Sequence, residues 1–138
     1  MKFNELIPEL AVFNIERSLS FYVGVLGFSV KYERKEEGFA FIHLGRSQIM
    51  LDEIGKGRNW KTGEFTKPLG IGINLQIEVN DISSIVKRLD EEKIKLFINP
   101  EEKWYKMGKI ELGNKQFLVQ DPDGYLLRFF EDIGERNI

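Results

Sequence analysis

Cysteine is absent from this 138-residue chain, histidine occurs once, and no stretch approaches the ~18 consecutive apolar residues of a membrane span. Without cysteine there is no disulfide scaffold, no thiolate metal site and no cysteine nucleophile. No Ser-His-Asp arrangement is supported around the one histidine, His43. The opening Met1-Lys2-Phe3-Asn4-Glu5 has no signal-peptide layout, so a soluble cytoplasmic protein is the expectation. Neither sign of charge dominates. Twenty Lys and Arg stand against 22 Asp and Glu, and the formal net charge is −2. Nucleic-acid binders carry a basic face or stripe. The nearest approach to one is Lys56, Arg58 and Lys61, flanked by Glu53 and Glu64, and it reads as a solvated loop. No nucleic-acid or membrane partner is expected, and a mildly acidic chain tolerates a cationic ligand better than an anionic one.

What is present is a pattern that occurs twice. Leu6 to Phe13 reads as a strand interrupted by Pro8, and Asn14 can cap a following helix. Ile15, Leu19, Tyr22 and Leu26 recur at helical spacing, which predicts a helix over 15–26 that Gly27 stops. Strands are predicted at Ser29–Arg34, Phe39–Leu44 and Ser47–Ile54. Residues 55–70 are polar and glycine-rich and read as a loop. The order then returns: strand Ile73–Val79, cap Asp81, and a helix whose apolar face is Ile82, Ile85, Val86 and Leu89. A strand begins at Leu96–Ile98, a long loop is predicted over Asn99–Asn114, and strands follow at Phe117–Gln120 and Tyr125–Glu131. Asp121-Pro122-Asp123-Gly124 supplies turn chemistry between the last two.

At an offset of 67 residues Leu10 matches Ile77, Val12 matches Val79, Ile15 matches Ile82, Leu19 matches Val86 and Tyr22 matches Leu89. This is an internal duplication of a βαβββ unit. The fold class is α+β: one domain over 1–138, with a first module over 5–54, a connecting loop over 55–70 and a second module over 71–132. Strand alternation places Leu75, Ile77 and Val79 toward a helix, with Asn74, Gln76 and Glu78 on the other face. Glu9, Gln48, Asp52 and Arg128 fall on the same polar side. That side is either a plain solvated sheet face or, if the sheet curls, a concave pocket with convergent polar groups.

Arg17-Ser18-Leu19-Ser20-Phe21-Tyr22 with Leu26-Gly27-Phe28 resembles the first-helix signature of glyoxalases, extradiol dioxygenases and bleomycin-resistance proteins, the vicinal-oxygen-chelate superfamily. Asp121-Pro122-Asp123-Gly124-Tyr125, with Leu127 and Glu131, resembles the closing hairpin of the same proteins. The loop Gly57-Arg58-Asn59-Trp60 and the stretch Glu101-Glu102-Lys103-Trp104-Tyr105 look most like the bleomycin-resistance branch. The resemblance implies curled mixed sheets, and a homodimer that completes the ligand grooves. In the family's enzymes three or four His, Glu or Gln side chains hold one divalent ion. The matching positions here are Ile7, Met50, Asn74 and Arg128, which offer no such set. The resemblance therefore implies a metal-independent protein without cofactor or catalytic residues. It would sequester a bulky, cationic drug or metabolite, as bleomycin-resistance proteins do.

The residues expected to line the ligand site are Phe39, Phe41, His43, Asp52, Trp60, Gln76, Glu78, Trp104, Tyr105 and Arg128. His43 is read as cavity-lining rather than catalytic. Trp60, Trp104 and Tyr105 sit among polar residues. They either fold their loops onto the sheet or flank the groove and stack on a planar or cationic ligand. Glu9, Asp52 and Glu78 can be acid and base, a hydrogen-bonded floor, or an attraction for a cation. The alternative reading is a metal-dependent lyase, isomerase or dioxygenase with shifted ligands, such as His43 with Glu78 or Asp52. A third is a structural or regulatory dimer with a vestigial groove.

Overall fold

The computed structural model of the chain describes residues 2–57 and 60–138. Two compact units emerge. One holds the chain up to Leu69 together with Pro122–Gly124, and the other holds Gly70–Asp121 with Tyr125–Ile138.

In the first unit β1 (Glu9–Val12) leads into helix α1 (Ile15–Leu19), and β2 (Ser29–Arg34), β3 (Phe39–Leu44) and β4 (Ser47–Glu53) follow. The sheet order is β1-β4-β3-β2, with β1 parallel to β4 and the remaining pairs antiparallel. The second unit repeats this plan with β5 (Asn74–Glu78), α2 (Ile82–Glu91), β6 (Ile98–Met107), β7 (Ile110–Gln120) and β8 (Leu126–Asn137). Its order is β5-β8-β7-β6, again with one parallel pair, β5 with β8. The α+β class and the duplicated mixed sheets stand as the sequence predicts.

The duplication extends to individual hydrogen bonds. Asn14 caps α1 by accepting from the Arg17 amide, and Asp81 caps α2 by accepting from Ser83. Each helix also receives a carboxylate from the last strand of its own module. The Ile15 amide donates to Glu53 at 2.9 Å and the Ile82 amide donates to Glu131 at 2.8 Å. Both bonds satisfy an amide that the helix itself cannot pair. The bond from Ile15 is the main reason the Glu53 carboxyl titrates below its ordinary value, with Lys56 adding to it.

Three predicted elements are corrected. The helix expected over 15–26 is α-helical only to Leu19 and continues as a π-helix over Ser20–Val25. The Leu26 amide bonds the Phe21 carbonyl, five residues back, so one extra residue is accommodated in the turn. The widening lets Phe21, Tyr22 and Leu26 all bury. The loop expected over Asn99–Asn114 is a β-hairpin: β6 and β7 pair from Glu101↔Gln116 to Met107↔Ile110 around the two-residue turn Gly108-Lys109. Alternation was invisible there because most of β6 is solvent-exposed and carries charges on both faces. The last strand runs past Glu131 to Asn137, because its outer half pairs with that same hairpin.

The core of each unit lies between its sheet and helix. Val12, Tyr22, Leu26, Ile42 and Leu51 are fully buried in the first, and Leu89, Phe117, Val119, Leu127 and Phe129 in the second. The apolar face predicted for α2 packs as expected at Ile82, Ile85 and Leu89, while Val86 remains half-exposed. After α2 the chain turns through Lys93, at φ 59°, a left-handed conformation that glycine adopts without strain. Its amide bonds the Asp90 carbonyl, and the Ile94 amide bonds Leu89, the closing pattern of a helix that ordinarily carries glycine. Gly27 serves the corresponding turn of the first module. Lys93→Gly is therefore expected to raise stability by roughly 0.5–1 kcal/mol, read as a higher urea midpoint with an unchanged slope.

Candidate ligand-binding site

In the first unit the register places Glu9, Met50 and Phe41 in one row across the sheet and Ala11, Asp52 and Phe39 in the next. These share the face turned away from the helix. A cavity of about 550 Å³ opens at the Asp52 end, lined by Glu9, Ala11, Asp52, Trp60, Lys61 and Phe65 among others. Trp60 is 76% exposed beside it.

The remaining predicted residues of this face are placed differently. Phe39 and Phe41 are buried under other side chains rather than open to a ligand. Tyr32 stacks on Phe41 at 5.5 Å, the Arg34 guanidinium sits 4.0 Å over Phe39, and Phe3 meets Phe41 edge-on at 5.2 Å. The segment carrying Phe3 is held down by Gln48, which accepts from the Asn4 amide and donates to the Lys2 carbonyl, both at 2.7 Å. His43 pairs with Gln48 in the ladder, whereas Asp52 pairs with Phe39. Four strand positions separate the two, roughly 13 Å, so His43 and Asp52 cannot share a proton or an ion. Of the predicted loop cations, Lys56 lies 3.2 Å from Glu53 and Lys61 lies 3.9 Å from Glu64. Arg58 and Asn59 lie outside the described residues.

In the second unit Gln76, Glu78, Tyr105 and Arg128 come together around a cavity of about 650 Å³, with Asn114, Phe130, Asp132 and Glu135 also at its wall. Arg128 donates to Gln76 Oε1 at 2.7 Å, while its Nε is buried and makes no hydrogen bond. The Tyr105 hydroxyl donates to Gln116 Oε1 at 2.9 Å, and Gln116 donates in turn to Glu101 at 3.2 Å. This chain of bonds fixes the tyrosine at the wall. Glu78 and Glu135 are exposed and bond no described residue. Asp132, Glu135 and Asn114 were beyond the reach of sequence reasoning, because the outer halves of β7 and β8 were read as loop and tail. Only the glycines gave a signal, Gly108 at the hairpin turn and Gly113 opposite Gly134.

Trp104 is separated from Tyr105. Adjacent strand residues face opposite ways, and the register sets Trp104 against Gly113 and Tyr105 against Leu112. The Trp104 ring packs where a side chain on Gly113 would lie, with the Arg136 guanidinium 4.2 Å above it. It stiffens the outer hairpin and stands on the face away from the cavity.

The residues at the family's metal positions do not fit a hard divalent ion. Ile7 has no donor atom, Met50 offers a soft thioether, and Asn74 is a weak neutral donor. Arg128 brings a positive charge already engaged with Gln76. Among the described residues no group of three His, Cys, Asp or Glu side chains could hold a metal ion. No helix of the described residues is long and apolar enough to cross a membrane.

The duplicated βαβββ plan and these sheet-face cavities define a class, and sequence comparison agrees with it. Residues 3–129 match the model of the Glyoxalase/Bleomycin resistance protein/Dioxygenase superfamily, and the chain belongs to that family. Within it, the chain is similar to the bleomycin resistance proteins of Geobacillus stearothermophilus and Staphylococcus aureus. Each is 27% identical over 139 residues, covering 92% of this chain and 96% of the relative. Two solved structures share the fold. A virulence protein of Salmonella typhimurium has a TM-score of 0.70 at 21% identity, covering 96% of this chain and 100% of its own. TioX of Micromonospora sp. ML1 has a TM-score of 0.72 at 20% identity, covering 94% and 99%.

Proposed function

We propose that this protein binds a bulky cationic drug or metabolite in the cytoplasm and sequesters it without metal-dependent chemistry. A homodimer completes the groove. The observation that carries the reading is the composition of the sheet-face cavities. Glu9 and Asp52 stand beside Trp60 and Phe65 in one, and Glu78, Asp132 and Glu135 stand beside Tyr105 and Phe130 in the other. Carboxylates with aromatic faces suit a cation carrying planar groups. Both volumes lie in the range of about 300–1,000 Å³ typical of small-molecule sites. The likeness to bleomycin resistance proteins supports the same ligand class, and the poor donor set at Ile7, Met50, Asn74 and Arg128 supports binding over catalysis.

The two tryptophans make the proposal testable by fluorescence, since Trp60 lines the first-unit cavity while Trp104 packs over Gly113 on the face away from the second-unit cavity. Metal-free bleomycin should quench the emission of the chelator-treated protein saturably. Trp60→Ala should remove most of the quenching and weaken binding about tenfold, an amount equal to ~1.4 kcal/mol of lost stacking. Trp104→Ala should leave the affinity unchanged. Equal effects of the two substitutions, or no saturation, would defeat the proposal.

A further inference from the structure

The duplicated plan supplies an internal comparison that exposes a second site. In the first module, Tyr22 and Phe28 fill the space between helix and sheet. Both are buried, and their rings meet edge-on at 5.4 Å. The Phe28 amide bonds the Tyr22 carbonyl across the left-handed Gly27. In the second module the Ile94 amide bonds the Leu89 carbonyl across the left-handed Lys93. Ile94 therefore occupies the place of Phe28 and Leu89 the place of Tyr22. The offset drops from 67 to 66 because the π-helical turn inserts one residue in the first module. Two rings are thus replaced by two smaller aliphatic side chains.

Leu89 stays fully buried, whereas Ile94 lines a groove of about 580 Å³ between α2 and the start of β6. Its floor includes Val86, Ile94 and Leu96, all half-exposed. Lys87, Lys95 and Lys115 stand around it; no ion pair or side-chain hydrogen bond joins them to a described residue, although Lys115 lies near enough to act electrostatically on Asp81. Asp90 is the one carboxylate among the described lining residues. Exposed ammonium groups ringing an apolar trough are complementary to an anionic head on an aliphatic body. The charge is opposite to that of the sheet-face cavities, so a cationic ligand is disfavoured here.

We propose that this groove binds an aliphatic carboxylate, with the chain on Val86, Ile94 and Leu96 and the carboxylate between Lys95 and Lys115. The site is separate from the sheet-face cavities and stands or falls independently of what they bind.

Decanoate is the probe, titrated into the full ¹⁵N-labelled chain and followed by amide chemical shifts. Submillimolar saturation is expected, with shifts centred on residues 82–96 and on Lys115. Decylamine, equal in chain length and opposite in charge, should not saturate. Lys95→Glu with Lys115→Glu changes only exposed side chains and should weaken decanoate at least tenfold. Val86→Phe should block it by filling the floor, and circular dichroism checks that both variants fold. Shifts centred on Gln76 and Arg128 instead, equal binding of decylamine, or no saturation would each overturn the proposal. So would an affinity that the lysine substitutions leave unchanged.

Discussion

Asp123→Ala is expected to destabilise the protein by about 3 kcal/mol, a fall of roughly 10 °C in melting temperature. The Asp123 side chain is fully buried, and Arg17 donates to it at 2.7 Å while keeping 45% of its own side chain in solvent. The Phe13 amide also points at the carboxylate, at 3.4 Å, and Lys67 approaches to 4.0 Å. Alanine removes the acceptor from all three and leaves a backbone amide poorly served in the interior, where an unmade hydrogen bond costs most. Arg17→Ala should cost as much or more, because it removes the 2.7 Å partner of a fully buried carboxylate, whereas Asp123→Ala leaves behind an arginine that is half-solvated. Urea unfolding of the two variants checks both the size and the order. A loss under 1 kcal/mol for Asp123→Ala, or a clearly smaller one for Arg17→Ala, would contradict this account.

Removing the carboxylates at the second-unit cavity should weaken binding with little effect on folding. The side chains of Glu78 and Glu135 are exposed at its wall without partners among the described residues, so their substitution leaves no buried group stranded. Glu78→Gln with Glu135→Gln should weaken a cationic ligand by about 2 kcal/mol, roughly thirtyfold. The unfolding midpoint should hardly move. Affinity of the unsubstituted protein should fall with added salt, and that dependence should flatten in the double variant. Unchanged affinity in the variant would mean that the acidic wall does not read the ligand's charge.

The two family signatures show what a sequence can reveal and what it cannot. Arg17 belongs to the first-helix motif and Asp123 to the closing-hairpin motif, 106 residues apart, and each was legible alone. Their ion pair was not, because spacing carries no information on which distant charges meet. The repeat was legible because buried positions of strand and helix recur with fixed periods. Leu10, Val12, Ile77 and Leu89 are buried as the periodicity requires. The β6–β7 hairpin was not, because exposed strands need no apolar alternation and Glu101 to Lys106 reads as loop. That one misreading hid Asp132 and Glu135 and left Trp104 beside Tyr105, when the pleat separates them. The buried aromatic stack on Phe39 and Phe41 was hidden for a different reason. Strand parity put both rings on the sheet face turned from the helix, but could not show that Tyr32, Arg34 and Phe3 cover them.

Calorimetric titration of metal-free bleomycin, before and after exhaustive chelation of the protein, tests the central claim most directly. Two superimposable, saturating isotherms are expected, because Ile7, Met50, Asn74 and Arg128 do not make a donor set for a hard divalent ion. A binding signal that chelation abolishes and zinc or manganese restores would contradict metal-independent sequestration. Flat isotherms in both states would remove this ligand from the account.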